Sequence, residues 1–227
     1  MIAAIMGLMN KALTQQRIRI TFGKHGALRF VGHLDLSKTW ERLLRRAEMP
    51  LEYTQGFNPR PRIQFAAALP VGVTSESEYL EIWLTERLDE PFPDQWIERL
   101  QTMSPPGLRI YTLVDIPVRD QSLPQQVTTA EYVITITDQE ISRHDVQQRV
   151  AAMLAAPTIE RLTHKGKRYD LRPRILDLTV NEAGELIAHL SSNERANARP
   201  DELIAALGFE LGQVHIHRYR LNLDNDD

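Results

Sequence analysis

Polar and apolar residues alternate over Arg17-Ile18-Arg19-Ile20-Thr21-Phe22, the period-two pattern of a strand with one buried face. Gly23 to Gly26 breaks that pattern, and Leu28-Arg29-Phe30 is expected to resume extended backbone. From Leu34 to Ala47 the spacing changes: apolar residues fall at 36, 40, 43, 44 and 47, one face of a helix. Asp35 stands where an N-cap belongs, and Pro50 ends the helix. Leu51 to Thr54 reads as a short extended stretch. Gly56 to Pro61 reads as irregular, because two prolines and a glycine do not suit a helix interior. Arg62 to Leu69 and Glu78 to Leu84 read as strands joined through Pro70 and Gly72. A second helix over Asp94 to Met103 and a strand over Leu108 to Val114 complete a β-α-β-β-α-β order, the ferredoxin-like pattern.

The order then repeats. Tyr132 to Thr137 predicts a strand, and Ser142 to Ala155 a helix with Val146, Val150, Met153 and Leu154 apolar. Ile175 to Val180 and Leu186 to Leu190 pair across a turn, Asp201 to Leu207 forms a helix closed by Gly208, and Val214 to Leu223 is the last strand. In that strand Val214, Ile216, Arg218 and Arg220 fall on one register. The expected fold is therefore α+β, two tandem ferredoxin-like (βαββαβ) units with antiparallel sheets. The boundaries are an extension over 1–16, a first unit over 17–118, a polar linker over 119–129, a second unit over 130–223 and an acidic tail over 224–227.

The 227 residues suit two domains, and 42% apolar content supports a core in each. Absence of cysteine excludes disulfides, thiolate zinc sites, iron–sulfur ligation and a cysteine nucleophile, and fits a cytoplasmic location. The apolar run Ile2 to Met9 lacks a preceding basic region and is too short for a membrane helix, so no membrane partner is expected. The net charge of −3 conceals segregation. Residues 17–62 hold ten Lys/Arg against four Asp/Glu, and 161–174 hold six against one. Either these islands form a positive surface for an anionic partner, or distant acidic segments neutralise them in the fold.

Four motifs stand out. Lys38, Arg42, Arg45 and Arg46 share the helix face opposite Trp40, Leu43 and Leu44, an arrangement that suits phosphates but also any solvated face. Gly56-Phe57-Asn58-Pro59-Arg60-Pro61-Arg62 is a stiffened loop carrying an aromatic, an amide and two guanidinium groups, to which we assign a binding role. His33 precedes the basic helix; it is either a lone acid/base candidate or a local packing group. The stretch Lys165 to Arg174, with Lys167, Arg168 and Arg172, interleaves cations with Tyr169 and is compatible with nucleic-acid contact. His164, His189, His215 and His217 lack metal-ligand spacing, so neither a metal nor a cofactor is expected. No nucleotide-binding fingerprint, Ser-His-Asp arrangement or metalloprotease motif is present.

The runs Leu28-Arg29-Phe30-Val31-Gly32-His33-Leu34-Asp35-Leu36, Glu41 to Ala47 and Gly56-Phe57-Asn58-Pro59-Arg60-Pro61, with Asp170-Leu171-Arg172-Pro173, resemble the radical-SAM-linked (radical-SAM-associated) protein family. That family often has serine where this chain has Gly32. The resemblance implies a bacterial protein working beside a radical-SAM protein, with no established activity. Three functions follow as expectations. The chain is a non-catalytic module that binds RNA or presents a substrate to a partner enzyme; or it is a subunit docking on a radical-SAM protein; or, least favoured, it is a metal-independent RNA-processing enzyme using His33.

Overall fold

Ile18, Ile20 and Phe22 are fully buried, as the alternation requires, within β1 (Gln16–Lys24) of a computed structural model. The structure describes residues 14–89, 92–138, 140–163, 166–193 and 196–224. The expected extension over 1–16 therefore lies mostly outside the described residues, as does the tail beyond Asp224. After β1, a 3-10 turn over Gly26–Phe30 replaces the expected extended stretch; the backbone turns there because Gly26 adopts a positive φ. Helix α1 (His33–Arg46) then buries Leu36, Trp40, Leu43 and Leu44. Its N-cap is Gly32 rather than Asp35, which sits inside the first turn and accepts from Lys38 at 3.1 Å.

Strand β2 is only Ile63–Phe65, whereas β3 runs over Thr74–Leu84, longer than its apolar pattern implies. Helix α2 (Asp94–Met103) and β4 (Leu108–Ile116) follow. β1 pairs antiparallel with both β3 and β4, and β2 pairs antiparallel with the far part of β3. The helices cover one face, packing on Ile18, Ile20, Phe22, Leu80, Ile82 and Leu84. Arg17, Arg19, Glu81 and Trp83 alternate with these residues and so point to the opposite face.

Residues expected to form a linker are part of the packed structure. Leu123–Gln126 makes the one-turn helix α3, in which Leu123 and Gln126 are buried, and β5 (Val127–Ile136) starts directly after it. Helix α4 (Arg143–Ala155) opens on a capping box between Ser142 and Asp145. A small antiparallel ribbon, β6 (Glu160–Leu162) and β7 (Arg168–Asp170), occupies the second basic island. β8 (Ile175–Val180), β9 (Leu186–Ser191), α5 (Pro200–Ala206) and β10 (Val214–Leu223) close the second half.

The architecture is mixed α+β, with five helices and a large, mostly antiparallel sheet among the described residues. The halves share that sheet rather than each carrying its own. Its order is β4-β1-β3-β10-β5-β9-β8, with β2 attached to β3. The junction is a short parallel contact, His217 opposite Thr74 and Arg218 opposite Ser75. Two apolar cores lie on the helix side, and Ala66, Leu69 and Val73 from the first half enter the second core. Beneath the junction Arg218 is 1% exposed and Glu78 4% exposed; Arg218 Nε donates to Glu78 Oε1 at 2.7 Å, and its terminal nitrogen donates to Oε2. A register shift between Arg218 and Arg220 breaks the expected common register, leaving Arg218 buried and Arg220 exposed.

Candidate functional site

Helix amphipathicity sets the first candidate surface. With Trp40 and Leu44 in the core, Lys38, Arg42, Arg45 and Arg46 face outward. Arg42, Arg45 and Arg46 line a shallow groove of about 440 Å³ with Thr39 and Pro105. Arg42 has no carboxylate partner among the described residues, and Arg45 has only Glu41 at 4.0 Å. Arg46 donates to the Met103 carbonyl at 2.8 Å, and Lys38 pairs at the surface with Asp35.

The stiffened loop is a narrow projection. Tyr53 bridges to Pro61, and the Thr54 amide donates to the Arg60 carbonyl at 2.8 Å. Beyond that neck lie Gly56, Phe57, Asn58 and Pro59, all exposed, with Gly56 at φ +133°, which favours glycine. Phe57 is 105% exposed and so does not anchor the loop in the core. Helix and loop meet at Arg45, whose guanidinium lies 5.8 Å over the Tyr53 ring. Arg60 is exposed and has no carboxylate partner among the described residues.

Other cations of the first island are neutralised by the fold. Arg17 and Arg19 both donate to the buried Glu81 carboxylate. Arg62 pairs with Glu52 at 3.2 Å and stacks 4.2 Å over Trp83, which Arg17 also overlies at 4.9 Å. Arg62 thus belongs to a tryptophan sandwich on the sheet face opposite α1. His33 is exposed, its ring edge-on to Phe65 at 5.1 Å. In the second island, Arg172 holds backbone, donating to the Leu154 carbonyl at 3.2 Å and the Ile175 carbonyl at 3.3 Å. Arg168 lies 3.6 Å from Glu160, and the Lys167 amide donates to Thr163 Oγ1 at 3.1 Å. Lys165 and His164 lie outside the described residues.

A second constellation was missed in the sequence, since its members come from the turn after β1 and from β3, β4 and β10. His25 stacks on His217 at 6.2 Å, and its Nε2 lies 3.0 Å from the Tyr111 hydroxyl. Thr74 Oγ1 lies 2.9 Å from His217 Nδ1 and 3.4 Å from His215 Nε2, and Arg29 approaches His215 Nδ1 at 3.4 Å. Burial, then His217 and Arg109, hold the His25 pKa below that of a free imidazole, with Glu76 opposing. Burial, Arg29 and His217 do the same to His215. Gly23 makes room: a Cβ there would stand 2.5 Å from both His25 Nε2 and the Tyr111 hydroxyl. Only the alternation of His215 and His217 signalled this cluster; His25 sits on a turn about 190 residues away in sequence.

Beside these histidines, the sheet face opposite the helices forms a trough of about 640 Å³ lined by Tyr79, Tyr111, Tyr219, Glu76, Arg220 and Asn222. The Tyr219 hydroxyl donates to Glu131 Oε2 at 2.5 Å, and Asn222 Nδ2 donates to Glu131 Oε1 at 3.0 Å. Burial and this bond raise Tyr219 to about 12. Burial opposes ionisation of Glu131, but donation from Tyr219 and Asn222 prevails and lowers its pKa.

Residues 17–200 match the family described as an uncharacterized protein conserved in bacteria (DUF2344). The chain belongs to that family. The match takes in the helix stripe, the projecting loop and the ribbon, and stops before β10. No curated protein matches the chain. Among the described residues no group of three or more His, Asp or Glu side chains is arranged to hold a metal, and no helix is long and apolar enough to cross a membrane.

Proposed function

We propose that this family member is a non-catalytic binding module for RNA, acting in the cytoplasm and presenting its ligand to a partner enzyme. The observation that carries the reading is the surface joining Arg42, Arg45 and Arg46 to the Phe57–Arg60 loop through Tyr53. Cations without close carboxylates are available to phosphates, and an exposed ring offers a base a stacking partner. The fold fits. In each half the fourth strand pairs with the first, the first with the third and the third with the second, the ferredoxin-like order. Two units are proposed on that basis, the first over 17–118 and the second starting with β5 at Val127, three residues before the expected 130, and running to 223. The partner is proposed to be a radical-SAM protein, on the resemblance carried by residues 28–36 and 56–61.

Filter binding of single-stranded RNA against salt tests the RNA reading. The expected result is binding at low salt whose logarithmic salt slope shrinks by about 0.7 for each phosphate contact removed, as in Arg42→Ala plus Arg46→Ala. No binding at low salt, or an unchanged slope in the double variant, refutes it. Co-purification after nuclease treatment separates a protein partner from an RNA-bridged one.

A further inference from the structure

We propose that the trough on the face opposite α1 is a second site, which takes a ribonucleoside monophosphate unit with its base against the tyrosine rings and its phosphate on Arg220. Three phenol rings come from three strands, Tyr79 on β3, Tyr111 on β4 and Tyr219 on β10. A volume of about 640 Å³ lies within the range of small-molecule sites. Tyrosine rings give a planar base large contact area at low entropic cost.

The polar groups narrow the class further. Arg220 lies 3.9 Å from Glu131, beyond hydrogen-bond range, while that carboxylate already accepts from Tyr219 and Asn222. Its guanidinium is therefore available for a phosphate. Asn222 Nδ2 donates to both Thr129 Oγ1 and Glu131, so its amide oxygen is what it offers the trough, an acceptor for a base amino group. The Glu76 carboxylate is half exposed and 3.9 Å from His217 Nε2, placed to accept from ribose hydroxyls. One cation, one carboxylate, an amide oxygen and aromatic rings match a nucleotide better than a peptide or a lipid.

The unit could arrive free or within an RNA strand, and only the second source rests on the RNA reading above. Calorimetric titration with the four ribonucleoside monophosphates, their nucleosides and a single-stranded RNA oligonucleotide distinguishes them. Tyr219→Ala is expected to weaken nucleotide binding roughly 5- to 150-fold, the range for loss of one stacked base. Arg220→Ala is expected to weaken monophosphate binding roughly ten-fold. It should leave nucleoside affinity unchanged, which a general loss of structure would not do. Should Tyr219→Ala fail to fold, Tyr111→Ala removes another ring of the trough and is expected to weaken nucleotide binding within the same range. Binding of free monophosphates that follows this pattern supports the site without the RNA reading. Binding of the oligonucleotide alone, weakened by Arg220→Ala, supports it as part of an RNA surface. Oligonucleotide binding that responds to Arg42→Ala plus Arg46→Ala but ignores Arg220→Ala overturns the second site and leaves the first reading standing. No binding of any of these ligands overturns both.

Discussion

Replacing Glu78 by Ala should remove more stability than any surface change in this chain. Glu78 and Arg218 are both buried and joined through two hydrogen bonds across the β3–β10 junction. Burial disfavours the Arg218 charge, and Glu78, aided by Tyr132, more than offsets this, holding its pKa above the ordinary value. Lys24, also buried, lies in the same field: desolvation and Arg218 lower its pKa, while Glu78 raises it. Removing the carboxylate leaves the buried Arg218 charge without its counter-charge and takes from Lys24 the group that offsets Arg218. Breaking one side of such a pair costs about 3–5 kcal/mol. That is a large share of a typical 5–15 kcal/mol stability. At about 2–4 °C per kcal/mol for a chain of this size, the melting temperature should fall by roughly 6–20 °C. Urea unfolding followed by tryptophan fluorescence, with thermal circular dichroism, measures it. The double variant Glu78→Met plus Arg218→Met should recover most of the loss, because apolar residues of similar volume do not need a partner. A loss under about 1 kcal/mol in Glu78→Ala would refute the reasoning, as would a double variant no better than the single one.

Three further outcomes follow. His25 and His215 both titrate below the unfolded imidazole value, so on acidification the unfolded chain takes up protons first. Their contribution to stability is full above about pH 6.5 and declines as the pH falls towards their folded values. His217, Glu76, Arg109 and Tyr111 surround His25, and Arg29, His217 and Thr74 surround His215, so His25→Gln plus His215→Gln should flatten a urea midpoint–pH plot between about pH 5 and 6.5, where imidazoles titrate. Gly107→Ala should destabilise more than Gly23→Ala in the same denaturation assay. At Gly107, with φ +88°, a Cβ stands 2.3 Å from a backbone oxygen, whereas at Gly23 the nearest atoms are side-chain ends that can shift. Phe57→Ala should change stability by less than about 0.5 kcal/mol, since the ring touches solvent, yet lower RNA affinity by about 1–3 kcal/mol in filter binding.

Local patterning made much of the fold legible. The alternation at Arg17–Phe22 and the apolar stripe at Leu36, Trp40, Leu43 and Leu44 located β1 and α1, because burial of one face is encoded in residue spacing. The chemistry of the basic stripe was legible for the same reason: residues opposite a buried face must be exposed. What failed depends on distant partners. In the sequence Arg218 only shares a register with Val214, Ile216 and Arg220; its buried partner Glu78 is supplied by pairing with a strand 140 residues away. Arg17, Arg19 and Arg62 belonged to the basic island in the sequence, but Glu81, Glu52 and Trp83 claim them in the fold. The expected linker failed because its polar residues serve the interior: Gln126 accepts from Arg19 at 2.6 Å while buried. No spacing rule connects His25 to His217, so their contact could not be read before the sheet order was known.

The place of β10 in the sheet also bears on how the chain is assembled during synthesis. It fills the gap between β3 and β5, and the Leu221 amide bonds Ser77 across 144 positions of sequence. Every strand it joins emerges from the ribosome before it does. Until residue 223 is made, β3 and β5 each keep an unpaired edge, the surface on which strands of separate molecules associate. Closing so distant a contact is entropically slow, so completion of the sheet should be the late step of folding. A nascent chain of this protein therefore passes through an interval in which the first half is formed, the second lacks its last strand and the border between them is open, and chaperone demand should concentrate there.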